Sequence, residues 1–362
     1  MLKPARVLAC LLIFLIGCST NFRQPGNERP PSWQAREPVK PPPTPPTPPV
    51  VPAPVPVPVP QPPVPPEEPL NTWVSLDRWG QQRGFGAARS LSRTPAVTYG
   101  MATTNGVLVV CIGSLSAFWD GLEFHLGFAP QQIDGQVFLH ALDLRKNLDP
   151  LLRGFQPISK TGRVIVIDAG HGGKESGAKS VLNDHYEKEF TLDWARRLEP
   201  LLRTNGWRVF LTRTNDTDVS LSNRVAFAEA HQADLFISLH FNSQAPDEKE
   251  SGLETYCLTP TGMPSTFTHG YADIVTQVYP NNAFDAQNLQ YAFRLHRVLL
   301  KVNGMTDRGV RRARFMGVLR GQHRPAVLIE GGYLSNPREA RLIADPVYRQ
   351  RLAEAVAKAL ND

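Results

Sequence analysis

The chain has 362 residues and a formal net charge of +6. That length is a soft prior for two domains plus segments that do not fold. A charge this modest, with no RNP, KH or finger pattern, gives no case for nucleic acid and fits an anionic or wall-like partner better.

The start reads as an export signal. Lys3 and Arg6 supply the positive flank and Val7 to Ile16 the apolar stretch, which is too short for a membrane span. It ends in Leu15-Ile16-Gly17-Cys18, which resembles the lipobox of bacterial lipoproteins. The resemblance implies removal of 1–17, a lipid on Cys18 and attachment to a membrane through it. Ser19 favours the periplasmic face of the outer membrane. Residues 18–71 are expected to be a lipidated, disordered, Pro-rich linker. Pro38 to Pro69 holds 18 of the chain's 34 prolines, too many to bury a core, so polyproline II is expected. At about 3.1 Å per residue the segment extends to roughly 100 Å, which reads as a spacer rather than a PxxP ligand.

Residues 72–155 read as a small stalk-like domain, β-rich or α+β. Strands are expected at Val107–Ile112, Leu122–Phe128 and Gln136–Leu139, and short helices at Ser75–Gln82 and Leu142–Leu148. His125 and His140 stand alone, without a partner at metal spacing, and read as structural. Cys111 and Cys257 read as buried free thiols. No CxxC occurs, so a cysteine zinc ribbon is not expected.

From Gly162 onward strands and helices alternate, and 162–362 reads as a catalytic domain. Val164–Ile167, Arg208–Leu211, Leu235–Leu239 and Ala326–Ile329 are strand-like; Lys188–Thr204, Ser220–Ala230, Asn288–Val302 and Pro346–Leu360 are helical. Alternation of this kind predicts an α/β fold, a mainly parallel sheet with helices on both faces. Candidate ligands recur at element ends: His171, Glu187, His240 and Glu330. Strand ends on one sheet edge converge in space. Two histidines and a carboxylate are the ligand set of an open catalytic zinc site. A second carboxylate beside it, for which Glu330 is suited, would move a proton from water to a leaving amine.

At these positions the chain resembles the zinc-dependent N-acetylmuramoyl-L-alanine amidases of the Amidase_3 family. The stretches that carry the likeness are Ile167-Asp-Ala-Gly-His-Gly-Gly173, Glu187-Lys188, Leu211-Thr-Arg213, Ala233 to Asn242, Gly252-Leu-Glu-Thr-Tyr256, Asp307-Arg-Gly-Val310 and Pro325 to Asn336. The resemblance implies cleavage of the amide between N-acetylmuramic acid and L-alanine in peptidoglycan. It makes His171, Glu187 and His240 the ligands of Zn2+ and Glu330 the catalytic carboxylate. Arg308, Asn242 and Glu254 are candidate substrate contacts. The need for a protein activator stays open. Ala169 stands where the family has proline, and Ala228-Glu229 where it has Ala-Asn.

Glu189 and Asp193 read as solvated helix charges, and Asp168 as a group that orients the His171 loop rather than a ligand. Of Arg308, Arg311, Arg312 and Arg314, only Arg308 is expected to bind substrate. Thr259 to Gln287 is long enough for a lid, yet lacks the glutamate with which division-linked relatives block their metal. The rival to the enzyme is a catalytically silent, wall-binding scaffold with an amidase fold.

Overall fold

The computed structural model describes residues 69–158, 162–182, 184–267 and 272–361. The signal segment, Cys18 and the proline-rich linker up to residue 68 lie outside the described residues. The strands, in chain order, are β1 (Trp73–Ser75), β2 (Arg89–Ser92), β3 (Thr98–Thr103), β4 (Gly106–Cys111), β5 (Ser116–Trp119), β6 (Leu122–His125), β7 (Gln131–Ile133), β8 (Gln136–His140), β9 (Val164–Ala169), β10 (Arg208–Leu211), β11 (Leu235–Asn242), β12 (Leu253–Cys257), β13 (Asp307–Arg312) and β14 (Ala326–Tyr333).

One large sheet runs in the order β10-β9-β11-β14-β12-β13-β6-β5-β4-β3-β2. Its first four strands are parallel, as the alternation of strands and helices demands. Beyond them β12 lies antiparallel to β14 and parallel to β13. The sheet is therefore mixed: four parallel strands at one end, then a reversal into a second parallel run, β12-β13-β6. Residues of β9 alternate between two cores. Ile165 and Ile167 join the core beneath the helices Glu187–Thr204, Asp285–Asn303 and Pro346–Asn361. Val164 and Val166 join a second core with Ala228 from the helix Leu221–Ala230 and Val318 and Leu319 from Gly317–Arg320. This period of two explains why the strand is apolar throughout: both of its faces are covered.

The helix Glu187–Thr204 buries Phe190, Trp194, Leu198 and Leu202 on one face. Its start is closed by Glu189, which accepts from the Tyr186 backbone N–H at 3.1 Å. Asp193 accepts from Arg197 at 2.7 Å and also from Arg349. Both acids, read as solvated charges from the sequence, thus have structural partners.

The strands of 72–155 do not stand apart from the later ones. β6 pairs with β13 through Phe124 and Val310, so β2 to β6 continue the sheet as an antiparallel meander. Phe124 meets Phe293 of the helix Asp285–Asn303, with ring centroids 5.5 Å apart. Gln290 of that helix donates to the carbonyls of Pro150 (2.8 Å) and Gly154 (2.7 Å). Trp119, Leu126, Leu139 and Leu148 share one core with the helices of the later half. The run thus completes its core against the later half, through the strand edge of β13. Arg312, from the basic cluster, staples the same seam through Leu258 and Lys146 carbonyls (3.1 and 2.9 Å) and Asn147 (2.9 Å).

The helical run expected at Leu142–Leu148 is there with a π turn, Leu144–Leu148, between helical turns at Ala141–Asp143 and Asp149–Leu152. Asp143 is buried beside it. It accepts from the N–H groups of Gly127 (2.8 Å) and Phe128 (3.0 Å) and from Asn147 (2.8 Å). Burial outweighs these bonds and pushes its carboxyl up to about 7. A folded-state value above the unfolded one stabilises the fold fully at acidic pH and loses that contribution as pH rises through about 7. The melting-temperature advantage of the native protein over Asp143→Asn is therefore expected to shrink between pH 4 and pH 8. A constant difference across that window would remove Asp143 as the cause.

Candidate active site

β9, β11 and β14 end at one edge of the sheet, and each delivers a residue there. His171 follows β9, His240 lies near the end of β11, and Glu330 lies beside it in register on β14. Glu187 opens the long helix that returns across the same edge. A carboxylate in a first helical turn is favoured by the helix dipole. His171 Nε2 lies 3.1 Å from one oxygen of Glu187, and His240 Nδ1 lies 2.8 Å from the other. The three ligand atoms fall within 4.8 Å of one another. The buried Glu187 also accepts the N–H groups of Ala178 (2.9 Å) and Phe241 (3.1 Å). Burial alone would raise its carboxyl; hydrogen bonds from His171 and His240 outweigh that and hold it well below the usual range.

The cradle is shaped by glycine. A Cβ on Gly170 would lie 2.4 Å from the His240 ring, and one on Gly177 would lie 2.5 Å from Glu187 Oε2. His171 itself sits at φ +60, a backbone state that non-glycine residues hold only under constraint. Two buried arginines supply the constraint. Arg224 donates to the carbonyls of Ala169 and His171, each at 2.8 Å, and pairs with Asp168. Arg213 donates to Ala169 and Gly170 carbonyls, each at 2.9 Å. Asp168 further accepts from Thr212 (2.6 Å) and Ser238 (2.7 Å) and is not part of the ligand cluster. It braces the loop, as read from the sequence. The two arginines were missed there. Arg213 lies in a family stretch but carried no assigned role, and Arg224 is a lone cation on a helix with nothing local to mark it.

Glu330 is half-buried, and its Oε2 is buried with no hydrogen-bond partner among the described residues. Burial, then the charges of Glu187 and Glu254, push its carboxyl well above the usual range. Its charged form is therefore disfavoured both by burial and by the two neighbouring carboxylates.

The three expected substrate contacts meet one another. Glu254 lies across from Glu330 in the β12–β14 register. It is buried and accepts from Asn242 (3.0 Å), Tyr256 (2.8 Å), Tyr333 (3.1 Å) and Arg308 (2.7 Å). Its oxygens are saturated by protein donors. Arg314 holds the carbonyls of Thr259 (3.2 Å) and Pro260 (3.0 Å). The segment Thr259 to Gln287 leaves β12 at its far end, because β12 runs down while β14 runs up toward Glu330. Its described residues therefore start from the sheet edge opposite the cluster of His171, Glu187 and His240.

The sequence model of the Amidase_3 family, N-acetylmuramoyl-L-alanine amidase, matches residues 165–362. The chain belongs to this family. It is 32% identical over 242 residues to the N-acetylmuramoyl-L-alanine amidase AmiC of Escherichia coli O6:H1, covering 59% of this chain and 56% of that one. To LytC of Bacillus subtilis it is 33% identical over 195 residues, covering 54% of this chain and 34% of that one. The chain thus spans about half or less of these two relatives. A solved structure, the catalytic domain of CwlV from Bacillus (Paenibacillus) polymyxa var. colistinus, is 35% identical with a TM-score of 0.45, over 55% of this chain and 96% of that one. All four residues singled out as ligands and catalytic carboxylate lie inside the family match. Among the described residues no helix is long and apolar enough to cross a membrane.

Proposed function

We propose that this family member hydrolyses the amide between N-acetylmuramic acid and L-alanine of peptidoglycan, with zinc held by His171, Glu187 and His240. The observation that carries the reading is the meeting of those three side chains beside Glu330, a carboxyl with an unpartnered buried oxygen. Two imidazoles and one carboxylate, preset on a glycine cradle, fit a catalytic zinc site with room for substrate. When bound, zinc supplies Lewis acidity, which makes water nucleophilic near neutral pH and polarises a carbonyl.

The protein's own residues do the rest. The Glu330 carboxylate takes the proton of the attacking water. The water oxygen bonds to the lactyl carbonyl carbon, the C–N bond breaks, and Glu330 returns the proton to the leaving L-alanine nitrogen. Arg213 and Arg224 hold the His171 loop in its strained form throughout. Asn242, Glu254 and Arg308 form the neighbouring wall. The lipid on Cys18, with the Pro-rich linker, would place the enzyme on the envelope face from which it reaches the wall. Residues 72–155 would serve as a fixed extension of the catalytic sheet.

The test uses the full chain. Incubation with purified peptidoglycan and zinc is expected to release stem peptides with a free L-alanine amine, and a chelator is expected to stop it. Zinc bound without any release would leave the scaffold. A second expectation concerns the cradle. Gly170→Ala pushes the His240 ring aside, and zinc affinity is expected to fall about 10- to 100-fold, as for the loss of a supporting contact. A competition titration with a chromophoric chelator reads it, and unchanged affinity would contradict the role given to Gly170.

A further inference from the structure

Arg308 is held from below and engaged from above. Its Nε donates to the buried Glu254 at 2.7 Å, and its guanidinium lies over the Tyr333 ring, 5.1 Å from the centroid. Arg311 lies 3.3 Å from the same Glu254 carboxylate. Burial would lower the Arg308 guanidinium, but the contacts with Glu254, Tyr333 and Glu250 outweigh it and keep the group charged. On its outer side, Nη1 pairs with Glu250, whose side chain is 37% exposed. Among the described residues Glu250 has no other side-chain partner, and Arg308 Nη2 donates no hydrogen bond. Glu250 belongs to the 243–252 connection, on the same edge of the sheet as His240 and Glu330. That connection is pinned at Gln244 by Ser335 (3.0 Å), at the Glu248 carbonyl by Asn336 (2.8 Å) and at Gly252 by Glu339 (2.8 Å). Among the described residues, the Glu250 side chain is held by Arg308 alone.

The geometry points to a carboxylate subsite. Arg308, buttressed by Glu254, takes a free carboxylate of the stem peptide, and Glu250 fills that place in the free protein and gives way to it. The proposal rests on the amidase reading and names what the stem must carry. The fork of a guanidinium matches a planar carboxylate, and Glu250 already sets one carboxylate oxygen on Nη1. Arg308 lies on β13, two strands from Glu330 on β14. Two strand spacings are about 10 Å, which an extended peptide covers in about three residues. The carboxylate therefore belongs to an early residue of the stem, not to the glycan.

The exchange replaces one exposed carboxylate by another, so its effects are modest. The test binds two otherwise identical stem tripeptides to the full chain: one with a free α-carboxylate on its D-glutamyl second residue, one amidated there. The native protein is expected to prefer the acid. Arg308→Met is expected to bind both alike. Glu250→Gln is expected to bind the acid about threefold more tightly and the amide unchanged. Equal binding of the two peptides by the native protein, or an acid preference that survives Arg308→Met, would overturn the subsite. An unchanged acid affinity in Glu250→Gln would remove Glu250 as the stand-in. Cleavage of whole peptidoglycan is scored beside binding. Cleavage without acid preference sinks the subsite alone, and acid preference without cleavage sinks the amidase reading alone.

Discussion

Glu330→Gln is expected to lower amide cleavage by about two to four orders of magnitude, the usual worth of a positioned acid–base group, while one zinc stays bound per chain. The substitution keeps shape and removes only the ability to exchange a proton. The position invites that test because the carboxyl is placed for chemistry and not for stability. Its Oε2 is buried without a partner among the described residues, and its neighbours Glu187 and Glu254 make the charged form harder to hold. A neutral amide should relieve that repulsion, so the variant is expected to melt no lower than the native protein. Rates on a soluble muramoyl-peptide, with zinc content measured on the same sample, separate the two effects. Cleavage at the native rate by the Glu330→Gln variant would take the proton transfer away from this residue. Loss of zinc together with activity would make it a ligand.

His240→Ala is expected to cost zinc affinity at least about a hundredfold, since contacts one step further out already cost 10- to 100-fold. Activity should vanish with it at limiting zinc. The reason lies in how the three groups are preset. Glu187 receives His171 and His240 on separate oxygens, and its position is fixed by the N–H groups of Ala178 and Phe241. Removing His240 leaves two ligands on a cradle built for three. The helix Glu187–Thr204 and β11 keep their cores, because Trp194, Leu198 and Phe241 do not depend on the imidazole. Zinc content after dialysis against a calibrated buffer reads the loss. Native zinc stoichiometry in the variant would mean that the metal sits elsewhere.

Much of the site was legible because its signals are local. A β-branched run followed by Gly-His-Gly-Gly announces a strand and a turn wherever it occurs, and His240 and Glu330 each follow an apolar run, although their strands continue past them to Asn242 and Tyr333. Their convergence follows from parallel strands sharing one edge. What the chain did not disclose depends on partners far away in sequence. Arg224 and Asp168 pair across 56 positions, and Arg308 and Glu254 across 54; a charged residue alone looks the same whether it is solvated or bracing a loop. Glu254, a candidate substrate contact from the sequence, is buried under four side-chain donors from β11, β12, β13 and β14.

The sequence by itself determined the α/β half: its strands and long helices, because periodicity and β-branched runs report burial directly. It singled out His171, Glu187, His240 and Glu330 as candidates, through motif and order. Only the tertiary structure decided that 72–155 continues the catalytic sheet, since strand pairing between Phe124 and Val310 is a long-range event that no local pattern encodes. Only it decided that Thr259 to Gln287 departs from the opposite edge, because the reversal of β12 against β14 is a matter of topology. And only it set Glu250 on Arg308, where two residues 58 positions apart meet at the rim of the site.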